Sequence, residues 1–327
     1  MSTNNHSREN EMPDEHFLSS LAEKYRSMIA TALEISEIHE RTGQWDQAVN
    51  LLQFMLEVVN KAEDKKSEAE LRVLLGDLLW KRGAFDEARA ILQEANLLAE
   101  EISDYKIRGD CFYHLGELYY VEAVVMRKRD HTTALEYHDK ARVFREKSGD
   151  REGFVQSLSR LGTIHEYMGE FDRALEYHNK AIKIAQEINY DRGLYRPITH
   201  IGAFYRRQGD LKTALKHYQR ALEICRRIND KQGLVFALGN VGRTLFDLDE
   251  KAFDDSLQLC REALAIAERL DFKLAINRTL MIIGNLYVKY DQDKAKEFFQ
   301  RVGDNAVKTG YEAHRLFAEK RIAELEK

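Results

Sequence analysis

Six glycines recur along the chain at nearly fixed intervals: Gly76, Gly116, Gly162, Gly202, Gly242 and Gly284 lie 40, 46, 40, 40 and 42 residues apart. Each keeps similar company, in LLGDLLW, HLGELYY, RLGTIHEY, HIGAFYR, NVGRTLF and IIGNLYV. In the regular units a small residue follows twelve positions later (Ala88, Ala174, Ala214) and another seven after that (Ala95, Ala181, Ala221). Between glycine and alanine comes a turn with an apolar anchor, GAFDEA, GEFDRA or GDLKTA. An earlier unit carries Ser36 in place of the glycine, followed by GQWDQA. A period of this length marks an array of supersecondary units that bury their apolar faces by stacking.

Each unit reads as two helices joined by a tight turn, with Gly43, Gly83, Gly169 or Gly209 just past the end of the first helix. The small residues face the partner helix and let two backbones approach. Trp45, Phe85, Phe171 and Leu211 pack into the joint. Only two prolines, Pro13 and Pro197, interrupt 327 residues, and 44% of the chain is apolar. Such a chain is helical throughout and has enough apolar surface for a core.

The same residues exclude whole classes of function. No apolar run spans a membrane, and the polar N-terminus has no apolar segment of a secretory signal. Cys111, Cys225 and Cys260 are far apart, as expected for reduced thiols in a cytoplasmic protein. No HExxH, Cys-x-x-Cys or phosphate-binding glycine motif occurs, so neither metal nor nucleotide is expected, and the protein reads as non-enzymatic without a cofactor. His138 and His178 share the position of Tyr218 and read as packing residues. The net charge of −5 does not point to nucleic acid. Its distribution is uneven: residues 1–104 hold 11 basic and 21 acidic residues, residues 192–231 hold 10 and 3.

The pattern LG..Y...G.F..AL.....A resembles the tetratricopeptide repeat. Its period of about 40 is similar to the long repeats of Partner-of-Inscuteable/GoLoco scaffolds, kinesin light chain and Rap-type peptide receptors. The resemblance implies an all-α, right-handed superhelical solenoid of about seven helix-turn-helix units with a C-terminal capping helix. The expected organisation is a disordered leader at 1–13 and a superhelix at 14–310. Its units lie near 23–62, 63–102, 103–148, 149–188, 189–228, 229–270 and 271–308, with the cap at 311–327. Three departures stand out. Six extra residues, including Val121, Val124, Val125 and Met126, lengthen the first helix of the third unit. Asp249 replaces the turn glycine of the sixth, whose turn should be irregular. The seventh unit is shorter, with Ala295 at its small-residue position, and degenerate.

In such a solenoid the first helix of each pair lines the concave wall. The positions one after, two before and six before the repeat glycine then face the groove. They carry Glu34, Glu37, Glu70, Asp77, Asp110 and Glu117 in the first three units, and Arg160, Arg196, Arg243 and Arg278 in the rest. The expected groove therefore runs from acidic to basic. Asn240 and Asn285 match asparagines that hold extended peptides in Partner-of-Inscuteable-type repeats. His200, Phe236 and Tyr113 complete the candidate set.

The expected function is a scaffold or adaptor that binds a peptide segment of a partner protein. An acidic stretch of that partner would face the C-terminal half of the groove, and a basic or polar stretch the N-terminal wall. A peptide-sensing receptor of the Rap type is the alternative. The residues before the first unit are too few for that family's effector domain, so a second protein would carry the response. A homodimer is the third reading.

Overall fold

The computed structural model describes residues 24, 25, 27–36, 44–125, 131–309 and 311–326. The leader, Glu37, Gly43 and Met126 lie outside the described residues. Within them the chain is helical, with two short 3₁₀ turns and no strand. It forms two compact units, Met1–Ser148 and Gly149–Lys327.

The first unit contains α1 (helical over 27–36), α2 (Trp45–Lys61), α3 (Lys65–Lys81), α4 (Phe85–Glu101), α5 (Tyr105–Val125) and α6 (Thr132–Ser148). The second contains α7 (Arg151–Tyr167), α8 (Phe171–Glu187), α9 (Tyr195–Arg207), α10 (Leu211–Arg227), α11 (Lys231–Leu248), α12 (Phe253–Arg269), α13 (Lys273–Tyr287), α14 (Gln292–Thr309) and α15 (Glu312–Leu325). Inside each unit, consecutive helices pack on one another, and first helices also touch the next first helix. Leu52, Met55, Leu71, Leu75 and Leu118 centre one core. Leu238, Leu280, Ile283 and Phe299 belong to another in the second unit.

Local chemistry sets the helix ends. Asp64, Asp150, Asp210 and Asp230 cap four helices, each accepting a hydrogen bond from the backbone N–H three residues on. Gly83, Gly169 and Gly209 end α3, α7 and α9 at φ of +86°, +82° and +81°. The N–H after each glycine returns to a carbonyl five residues back, as in Ala84 N to Leu79 O at 3.0 Å. Glycine enters that left-handed region without the penalty a Cβ brings.

The repeat glycines serve a different purpose from the backbone approach expected above. A Cβ at Gly162 would lie 2.7 Å from the His178 ring, and one at Gly284 would lie 2.7 Å from the Phe299 ring. Tyr218 covers Gly202 and Leu92 covers Gly76 in the same way. Each glycine is thus a socket for a side chain of the following helix. Only at Gly242 does a backbone atom of the partner helix, Ser256 O at 2.9 Å, crowd the socket.

The departures have clear structural outcomes. α5 runs 21 residues where α3 and α7 run 17, and its Val124 is exposed. Asp249 is extended, accepts from Lys251 N, and leads into a 3₁₀ turn at Glu250–Ala252. α15 closes the second unit, with Ala318 buried and Phe317 edge-on to Phe299. No helix among the described residues is long and apolar enough to cross a membrane. Cys111, Cys225 and Cys260 are free and buried, and burial pushes the Cys225 and Cys260 thiols up to about 12.

Candidate functional site

Positions six before, two before and one after the repeat glycine step by four and then three residues, so they share one helix face. Successive first helices meet along this face. Within each unit the residue one after a glycine can meet the residue two before the next, as Asp77 meets His114 and Thr163 meets His200, forming a rung.

In the first unit these rungs are closed by the chain itself. His114 Nδ1 lies 3.1 Å from Asp77 Oδ1, and Lys81 donates to Asp77 Oδ2 at 2.6 Å. Burial alone would raise the Asp77 pKa, but His114 and Lys81 outweigh it and hold the carboxyl well below the usual range. Arg145, almost fully buried, donates to Asp110 at 2.8 Å and stacks over Tyr113 at 4.3 Å. Glu117 is buried with Oε1 3.4 Å from His138 Nε2, and Tyr113 meets the His138 ring edge-on. Asp77, Asp110, Glu117 and Tyr113 therefore already face partners within the unit. Glu34 and Glu70 remain exposed, and Glu37 lies outside the described residues.

The second unit differs. Its first rung is closed: the Thr163 hydroxyl donates to Ser159 O at 3.0 Å and lies 3.3 Å from His200 Nε2. His200 Nδ1 donates to Glu166 Oε2 at 2.7 Å, and Arg207 donates to the other carboxylate oxygen. Burial raises the Glu166 pKa, and the bonds from His200 and Arg207 more than reverse that, to about 2. Arg160 is half-buried on the same helix face.

The next rung is open. Ala203 stands where Asp77 and Thr163 stand in other units, and has no side chain to offer. Asn240, at the matching position of α11, is 6% exposed. One turn along α11, Arg243 is half-buried, with its Nε shut off from water and unpartnered. Burial lowers the Arg243 pKa and the like charges of Arg206 and Arg278 add to that, against a smaller opposing effect of the Asp247 carboxylate. Arg206 is paired with Asp247 at 3.1 Å. Arg278 is exposed and lies 5.0 Å over the Phe236 ring, which meets Phe272 edge-on. Arg196 is exposed beside Tyr195. Among the described residues, Arg196, Arg243 and Arg278 have no carboxylate partner. Asn285 is exposed on α13.

The structure thus brings Phe236, Asn240, Arg243 and Arg278 into one neighbourhood, with Arg196 nearby. Sequence reasoning missed Glu166, Arg206 and Arg207. Their signal was present: four residues past the glycine continues the same three-residue step, placing Glu166 and Arg206 on the face. It also treated His178 as packing alone, although one ligand atom each from Glu166, His178 and His200 lie within 4.8 Å of one another. A cavity of about 320 Å³ lies apart from this face, beside α8 and α10, where Arg227 pairs with Asp191 at 2.6 Å.

A model of the tetratricopeptide repeat family matches residues 27–101, 123–187 and 195–252. No curated protein matches the chain. Among solved structures, the fold is similar to a signal-transduction ATPase with a tetratricopeptide repeat sensor from Pyrococcus horikoshii. That match has a TM-score of 0.62 at 17% identity and covers 90% of this chain and 44% of the other, so the chain spans less than half of that protein. The apo quorum sensor NprR from B. thuringiensis aligns with a TM-score of 0.58 at 12% identity, over 95% of both chains. The Rap conjugation gene regulator of the plasmid pLS20, solved with the Phr* peptide, aligns with a TM-score of 0.58 at 16% identity, over 94% of both.

Proposed function

Because the chain belongs to the tetratricopeptide repeat family, we propose that it is a non-catalytic scaffold that holds a peptide segment of a protein partner on the first helices of its second unit. The observation that carries this reading is the open rung at Ala203 and Asn240. Ala203 offers no side-chain polar group, and the Asn240 amide both donates and accepts. An extended peptide backbone passing Asn240 supplies both complements. Acidic side chains of the same segment face Arg196, Arg243 and Arg278, whose guanidinium groups suit carboxylates. Phe236 offers an apolar contact between them. Arg160 and His200 flank the segment on one side and Asn285 on the other.

Peptide sensing is the second reading. It is favoured by the similarity of the fold to a quorum sensor and to a regulator solved with a peptide. A bound segment that closes the Ala203–Asn240 rung would draw α9 and α11 together, and a second protein would read the change. Small-angle scattering with and without ligand separates the readings: a sensor compacts and a passive scaffold does not.

The test of the binding face is fluorescence anisotropy with acidic, neutral and basic peptides. Acidic peptides should bind, and more weakly as salt rises, because exposed charges are screened. Arg243→Glu should weaken binding at least tenfold. Asn240→Ala, which removes about 1 kcal/mol of hydrogen bonding, should weaken it about fivefold. Binding indifferent both to salt and to Arg243→Glu rules the proposal out.

A further inference from the structure

His178 does more than its packing position requires. The socket over a repeat glycine accepts an aliphatic or aromatic side chain, as Leu92, Tyr218 and Phe299 show. Over Gly116 the socket holds another histidine, His138, whose Nε2 lies 3.4 Å from Glu117 Oε1. His178 is 2% exposed, and among the described residues neither of its ring nitrogens has a hydrogen-bond partner. Leaving such atoms unpaired carries a desolvation cost that packing alone does not offset.

What lies around the ring is a set of metal-ligand atoms. The His200 ring from α9 stacks on it, with centroids 4.9 Å apart and planes within 7°. Glu166 from α7 is bonded to His200 at 2.7 Å. A small, partly open void of about 10 Å³ is lined by Glu166, His178 and His200 together with Phe171, Leu175 and Phe204. That is about the space one water or one ion takes up. Three helices, two imidazoles and one carboxylate therefore converge on a single-atom cavity.

From this geometry we infer that Glu166, His178 and His200 bind one divalent transition-metal ion of the zinc class, pinning α7, α8 and α9 together. Imidazole nitrogen with carboxylate oxygen suits zinc, nickel and copper rather than calcium or magnesium. Bonds of roughly 2.0–2.1 Å bring tetrahedral ligand atoms to about 3.4 Å apart, so the 4.8 Å cluster must contract. In-plane lone pairs of two parallel rings cannot meet at one ion, so the His200 ring turns out of its stack. Glu166 gives the ion the oxygen now bonded to His200 and keeps the other on Arg207. Water fills the fourth position. This inference does not rest on the peptide-binding reading, although His200 borders both sites.

The experiment uses the untagged, metal-free full-length chain. It is titrated with Co²⁺ and followed by visible absorption and thermal melting. One equivalent should produce the intense visible bands of a four-coordinate site, raise Tm, and be displaced by Zn²⁺. His178→Phe places in the socket the residue that Phe299 supplies over Gly284. It should keep the helicity while abolishing both the bands and the metal-dependent rise in Tm. His200→Gln, at a half-buried position, should do the same and decides the matter if His178→Phe does not fold. Arg243→Glu should leave the bands intact. No four-coordinate bands in the native chain, or bands equally strong in His200→Gln, would overturn the inference.

Discussion

Gly162 and Gly83 show how one residue type answers two physical demands. At Gly162 an added Cβ runs into the His178 ring, whereas at Gly83 it meets nothing but the backbone sits at φ +86°. Gly162→Ala should cost about 1–3 kcal/mol by overpacking. Gly83→Ala should cost about 1–2 kcal/mol by conformational strain. A double-mutant cycle with His178→Ala tells them apart: the cost at Gly162 should largely disappear and that at Gly83 should not change. Both glycines were legible from their spacing. Charge was less so. Asp77 reads as a groove carboxylate, yet His114 and Lys81 occupy it. Because its folded-state pKa lies below the unfolded value of about 3.9, Asp77 stabilises the protein above that pH and the contribution fades as the pH falls. The stability gap between the native chain and Asp77→Asn should be full at neutral pH. It should shrink steadily in acid denaturation series below about pH 4.

Helix and turn identities followed from short-range rules. Capping aspartates, positive-φ glycines and the apolar stripe each act within a few residues, so the sequence carries them directly. The longer α5 was visible as six inserted residues and the 3₁₀ turn as the loss of glycine at Asp249. α15 was visible as Leu316, Phe317, Ile322 and Leu325 at helical spacing. In the fold its Ala318 is buried 3.9 Å from the Cβ position of Gly303. Phe317, Ile322 and Leu325 pack beside it against the core of the second unit, so α15 shields apolar surface of α14. Ala318→Glu would bury a charge there and should cost about 3 kcal/mol. Hydrogen exchange should then speed up in α13, α14 and α15 while α7 and α8 keep their protection. Uniform acceleration across the second unit would show that α15 supports more than its neighbours.

Across the whole chain, contacts join helices close in sequence, so stability is a sum of local terms and unfolding need not be a single step. Trp45 and Trp80, the two tryptophans, both lie in the first unit. Gly162→Ala, in the second, should therefore lower the denaturant midpoint seen by circular dichroism more than that seen by tryptophan fluorescence. Equal shifts would mean that the chain unfolds as one block. The repeat period, the positions of its glycines and the all-helical character were determined by the sequence alone, because each is a spacing within or between adjacent helices, whereas the use of those glycines as side-chain sockets emerged from packing. The convergence of Glu166, His178 and His200, the open rung at Asn240 and the quenching of Asp77 were decided by the tertiary structure. Each depends on which side chains meet across neighbouring helices, some 12 to 40 residues apart. A charge or amide becomes a binding group only when the residue opposite leaves it unpaired.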